Sequence, residues 1–254
     1  MVFFGIYFIG DYMPFLLTFL AGCSTLIGYL IIYIKNDNNK VLITSLAFAS
    51  GVMFFMSLFD LIPEGFKLIN TTYYLIFSII ISLLFLTLGI MTSSFINKSF
   101  KPNNSYLYKV GIISMIAIIL HNIPEGIATF LTTNHNLKLG IALALSLALH
   151  NIPEGISISI PIYYSTRSKK KAFLYTLISG MSEFLGAILA AIFLTGFSSN
   201  LFMGCLYLFI AGIMIYISLI ELLPTSIKYK NYYLTVISFI FGILFIYVSI
   251  LLIH

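Results

Sequence analysis

The string His-Asn-Ile-Pro-Glu-Gly occurs twice, as His121–Gly126 and as His150–Gly155, and both copies stand inside long apolar stretches. Each residue of an α-helix advances about 100° around the axis, so the histidine and the glutamate four positions later share one face. Ionisable side chains carry a large penalty in hydrocarbon and need a partner or a role there. Imidazole and carboxylate are both ligands of divalent metal ions, and an ion held between the two copies would supply that partner. With His121 at zero, Asn122 falls at about 100° and Glu125 at about 40°, between the other two. Glu154 stands in the same way between His150 and Asn151. Each glutamate can therefore face one site with its histidine and another with its asparagine, so two adjacent metal sites could share both carboxylates.

The other residues of the motif serve the same purpose. Pro124 and Pro153 lack the amide hydrogen that would bond to Leu120 and Leu149, which predicts a kink beside the ligands. Carbonyls freed in this way are tolerated in a membrane where they face protein, water or an ion. Gly126 and Gly155 allow a neighbouring helix to come close. A further acidic residue, Glu183, lies within Ser179-Gly180-Met181-Ser182-Glu183-Phe184-Leu185-Gly186. All five glutamates, 64, 125, 154, 183 and 221, fall within or at the ends of apolar stretches, the reverse of what solvated surface charge would give. Asp60, Glu64 and Glu221 are placed to be polar groups at helix ends. His135 and His254 are treated as solvated.

The elements that must position these groups are membrane helices. The chain has 60% hydrophobic and 8% charged residues, against roughly 25% charged in soluble domains, and its mean hydropathy is +1.07. A helix needs about 20 apolar residues to cross a bilayer. Such runs occupy 12–34, 41–62, 72–96, 110–131, 139–162, 171–195, 201–223 and 232–253. The expected fold is an all-α membrane protein with eight transmembrane helices, a single membrane domain over residues 1–254. The first 34 residues read as a span and not as a signal peptide, with Asp11, Tyr12 and Pro14 at its outer end.

The net charge of +5 does not gather into a nucleic-acid-binding face. Lys35, Lys40, Lys98, Lys101, Lys109, Arg167, Lys169, Lys170, Lys171, Lys228 and Lys230 all fall in odd-numbered loops; only Lys67 and Lys138 fall in even ones. By the positive-inside rule the odd loops are cytoplasmic and both termini extracytoplasmic. Cys23 and Cys205 lie in separate spans, where packing accounts for them. Gly51-Val52-Met53 leading to Asp60-Leu61-Ile62-Pro63 echoes Gly212-Ile213-Met214 leading to Glu221-Leu222-Leu223-Pro224. Together with the doubled hexapeptide, this echo predicts an inverted repeat that pairs spans 1–3 with 6–8 and span 4 with 5. Transporters commonly have this organisation, with the binding site near the midplane. Small residues such as Gly140, Ala144, Gly180 and Ala187 predict tight helix packing.

A mixed nitrogen and oxygen donor set suits Zn²⁺ first, with Fe²⁺, Mn²⁺, Co²⁺ and Cd²⁺ as further candidates; copper(I), which prefers sulfur, fits it poorly. The ligands bind metal only when deprotonated, so an exchange of protons for metal is chemically open. The rival reading is an intramembrane zinc metalloprotease. Catalytic zinc usually keeps three protein ligands and an open position, whereas two His and two Glu can close a tetrahedron. The chain also lacks the His-Glu-x-x-His spacing of zincins.

The two hexapeptides, Ser179-Gly180-x-Ser182-Glu183-x-x-Gly186-Ala187, the stretch Ala211 to Pro224 and the stretch Gly51 to Glu64 together resemble the ZIP family of metal-ion transporters, especially its bacterial zinc-uptake branch. The resemblance spans nearly the whole chain. It implies a multi-pass protein of the plasma (inner) membrane that moves divalent metal inward as substrate, with no cofactor and no catalysis. It also implies an elevator-like displacement of the helices carrying the site, often within a homodimer. By the same resemblance His121, Glu125, His150 and Glu154 form a first metal site, while Asn122, Asn151 and Glu183 join the shared glutamates at a second. Phe184 departs from that branch, which commonly has proline there. The loop of residues 97–109 lacks the histidines that many eukaryotic members carry.

Overall fold

The computed structural model describes residues 12–34, 39–99, 105–193 and 199–253. Asp11, Lys35, Lys101 and His254 lie outside the described residues. Among the described residues eight helices are long and apolar enough to cross a membrane: α1 (Tyr12–Tyr33), α2 (Lys40–Asn70), α3 (Leu75–Ser99), α4 (Tyr106–His135), α5 (Leu137–Thr166), α6 (Lys169–Phe193), α7 (Asn200–Ile227) and α8 (Tyr232–Leu251). They correspond one to one with the expected spans, and no strand occurs among the described residues.

Four of the helices, α2, α4, α5 and α7, exceed the apolar runs that announced them. The two that carry the hexapeptides have 30 residues each, about 45 Å of helix against about 30 Å of hydrocarbon. Polar groups at their ends close the turns. Asn136 Oδ1 accepts from the amides of Lys138 and Leu139 at 3.0 and 3.2 Å and so starts α5 immediately after α4. Arg167, in the left-handed region at φ 54°, ends α5. Ser199 caps α7 by accepting from the Phe202 amide at 3.2 Å. The loop expected at 97–109 is shorter than hydropathy indicated, because α3 continues to Ser99 and carries Asn97 within it.

Two helices change pitch. A π-helical segment at Ser57–Leu61 in α2 holds Asp60, and another at Ile217–Leu222 in α7 holds Glu221. Pro63 and Pro224 follow two residues past the ends of these segments. The wider turn accommodates a ring that would clash with the carbonyl four residues earlier. By contrast α4 and α5 stay α-helical through Pro124 and Pro153.

The helices pack in two groups. In one, α4 lies along α6 and α5, and α1 lies along α5 and α6; in the other, α2 lies along α8, and α3 along α7. The groups meet mainly where α2 passes α5. Fully buried Leu42, Leu46 and Met53 of α2 share an apolar cluster with Ile158, Ile160 and Ile162 of α5. Ser50 and Ser218 bond reciprocally, each hydroxyl to the other's carbonyl at 3.0 and 2.9 Å, and so join α2 to α7 without an unpaired donor. Leu83, Leu84 and Phe95 of α3 and Phe241 and Leu244 of α8 point outward, as faces in contact with lipid do.

Candidate metal centre

Both hexapeptides turn inward in the group formed by α1, α4, α5 and α6. His121, Asn122, Glu125, His150, Asn151, Glu154 and Glu183 are all buried, an unusual density of polar groups for the interior of an apolar bundle. Close backbone approach brings them together. A Cβ on Gly126 would lie 1.8 Å from the Glu183 carbonyl oxygen, and one on Gly155 would lie 1.9 Å from that of Thr25. Only glycine lets α6 press against α4, and α1 against α5, at the level of the ligands.

The imidazoles and carboxylates converge across the α4–α5 interface. His121 Nε2 is 2.8 Å from Glu154 Oε1 and 3.3 Å from Glu125 Oε1. His150 Nε2 is 3.2 Å from Glu125 Oε1. Each histidine therefore meets the carboxylate of the opposite helix, and Glu125 lies between both rings. His121, His150 and Glu154 each bring one ligand atom within 4.8 Å of the others, close enough that they could hold a metal ion together. Glu154 Oε2 has no hydrogen-bond partner and stays available as a further ligand atom.

The asparagines turn away from this cluster. Asn151 Nδ2 donates to Glu183 Oε2 at 2.7 Å and to the Ala21 carbonyl at 2.9 Å, bridging α5 to α6 and α1. Asn122 Nδ2 donates to the Ser179 carbonyl at 3.2 Å. With both amide nitrogens so used, Asn122 Oδ1, Asn151 Oδ1 and Glu183 Oε1 are left without partners. Each is a buried acceptor with no donor, a condition that a cation would relieve. The helix of Glu183 is unbroken through Phe184, whose ring packs 5.6 Å from Phe19 and 6.3 Å from Phe15. Glu183 accepts from Asn151 on that unbroken helix.

The remaining acidic groups lie elsewhere. Glu64 is partly exposed and pairs with Lys67 at 3.1 Å. Glu221 is buried and accepts from Asn97, which also donates to the Tyr216 hydroxyl at 2.8 Å. That cluster joins α3 to α7 in the other helix group. Ser179 and Ala21 are contacts that sequence reasoning missed, because backbone carbonyls leave no residue-type signal. The register of α1 against α6 was the available clue.

Known proteins similar to the chain show its family. The family model for the ZIP zinc transporter matches residues 98–250, which include both hexapeptides and Glu183. The zinc transporter ZupT of Streptococcus mutans is 37% identical, over 95% of this chain and 97% of its own. Those of Clostridium perfringens and Oceanobacillus iheyensis are 37% and 39% identical, each over 94% of this chain and 95% and 97% of their own. With most of the chain inside the family model and such similarity along nearly its whole length, the chain belongs to the ZIP zinc transporter family.

Proposed function

We propose that this protein carries Zn²⁺ across the plasma membrane into the cytoplasm through a two-ion site on α4, α5 and α6. The observation that carries the reading is the convergence of His121, His150 and Glu154 within 4.8 Å, buried in an apolar bundle. Glu125, between the two histidines, completes the first site. Asn122, Asn151 and Glu183, with their open oxygens, form the second beside it. Fe²⁺, Mn²⁺, Co²⁺ and Cd²⁺ are secondary substrates that the same donors suit. The ion is cargo, and the protein is a transporter, not an enzyme.

Several features support the wider reading. The excess of Lys and Arg in odd loops favours cytoplasmic odd loops and extracytoplasmic termini. An inverted repeat is supported by matched contacts: α1 lies along α5 as α6 lies along α4, α2 along α8 as α7 along α3, and the two π segments occupy equivalent places. One membrane domain over residues 1–254 accounts for the described helices. The division into two groups suits an elevator motion in which the group holding the site moves against the other, within a homodimer.

The test is zinc uptake into vesicles containing the purified protein. Wild-type protein takes up zinc, whereas Glu125→Ala and His121→Ala lose uptake. Unchanged uptake in both variants would remove these residues from the pathway.

A further inference from the structure

Several buried hydroxyls of the four-helix group have no hydrogen-bond partner, those of Ser114, Thr129 and Ser179 among them, and the one on α1 is matched by symmetry to a residue of the site. Thr25 of α1 is fully buried, and its hydroxyl has no hydrogen-bond partner. Buried Thr18, Thr133 and Thr176 bond back to the carbonyl four residues earlier, at 2.7 Å to Pro14, 2.7 Å to Thr129 and 2.8 Å to Ala172, whereas Thr25 and Thr129 do not. For Thr25 that carbonyl is Ala21, which accepts from the Ser24 hydroxyl at 2.6 Å and from Asn151 at 2.9 Å. A buried hydroxyl left open is unfavourable unless another group engages it.

The register of α1 against α6 indicates what that group is. Thr18-x-x-Ala21-Gly22-x-x-Thr25-x-x-Gly28 lines up with Thr176-x-x-Ser179-Gly180-x-x-Glu183-x-x-Gly186. The contacts match position by position. A Cβ on Gly28 would lie 2.2 Å from the Ile152 carbonyl oxygen, and one on Gly186 would lie 2.0 Å from that of Ile123, the same position in the other hexapeptide. Asn151 reaches Ala21 as Asn122 reaches Ser179. The Thr25 carbonyl meets Gly155 as the Glu183 carbonyl meets Gly126. In this register Thr25 stands where Glu183 stands. Glu183 crosses to Asn151, and the equivalent step from Thr25 leads towards Asn122, whose Oδ1 is also open. Threonine reaches less far than glutamate, so neither oxygen is satisfied by the other.

We propose that Thr25 supplies a neutral hydroxyl to the coordination shell of the second ion, on the side away from Glu183. The proposal rests on the two-ion reading above. A carboxylate here would add a further negative charge to those of Glu125, Glu154 and Glu183. A hydroxyl provides the oxygen without the charge, and lower ligand charge loosens binding. A site that must release its cargo benefits from that asymmetry.

The experiment is zinc titration of the purified full-length protein, counting ions and their affinities, for wild type, Thr25→Val, Thr25→Ser and Glu183→Gln. Wild type binds two ions. Thr25→Val weakens the second by about 10- to 100-fold, as loss of a supporting group at a metal does, and leaves the first unchanged; Thr25→Ser restores it. The metal-free Thr25→Val protein melts no lower than wild type, because the lost hydroxyl had no partner. Thr25→Ala replaces it if valine is not accommodated beside Gly180. Wild-type affinities in Thr25→Val, with the second ion lost in Glu183→Gln, would overturn the role of Thr25 and leave the two-ion reading standing. A single ion in wild type, unaffected by Glu183→Gln, would overturn both.

Discussion

At the scale of single residues, each buried charged group is matched to a neighbour, and the match is incomplete without a cation. His121 and His150 each lean on the carboxylate of the opposite helix, yet Glu154 Oε2, Glu183 Oε1 and both asparagine oxygens stay open. Zinc should therefore stabilise the folded protein. Binding at 100 times the dissociation constant contributes about 2.7 kcal/mol, visible as a higher melting temperature on adding zinc. Glu154→Gln should remove most of that rise while leaving the metal-free melt little changed, since it withdraws a buried charge. Asn97→Leu tests a different cluster. It withdraws a donor from buried Glu221, and loss of such a partner costs about 1–3 kcal/mol, measurable by thermal unfolding without loss of zinc binding. The ligand types were legible in the sequence because histidine and glutamate four apart in an apolar run have few other uses. The aim of the asparagines was not, because their partners are carbonyls of α1 and α6, distant in sequence and silent in residue type.

At the scale of helices, contact distance decides the design. Gly126→Ala would place a methyl 1.8 Å from the Glu183 carbonyl oxygen, and α4 and α6 would have to separate. Overpacking of that kind costs about 1–3 kcal/mol. The variant should melt lower and bind zinc more weakly, because Glu183 moves with its helix; an unchanged melt would show the contact to be softer than drawn. Existence and order of all eight spans were legible from hydropathy, because a bilayer demands long apolar runs. Their ends were not, since polar residues such as Asn97 and Asn70 continue helices beyond the apolar run. The prolines act differently: Pro63 and Pro224 accompany π segments, whereas Pro124 and Pro153 sit within continuous α-helix. Sequence gives the missing amide, and packing decides how the helix absorbs it.

At the scale of the molecule, the ligands all belong to one helix group, and the second group touches it along few surfaces. If the site travels with its group, a disulfide engineered between α2 and α5 should stop zinc uptake, and reduction should restore it. A disulfide between α1 and α5, inside one group, should leave uptake intact. Equal uptake in both crosslinked forms would rule out relative motion of the groups. This division could not be read from the sequence, because group membership depends on which helices lie side by side, although the doubled motifs pointed to a paired plan. The anomalous scattering of zinc in crystals of the loaded protein is the sharpest test of the whole account. The ion should appear between α4 and α5, bonded to His121, His150 and Glu154, at about 2.0–2.2 Å from their ligand atoms. A fully loaded protein with zinc bound elsewhere and none among these three side chains would refute it.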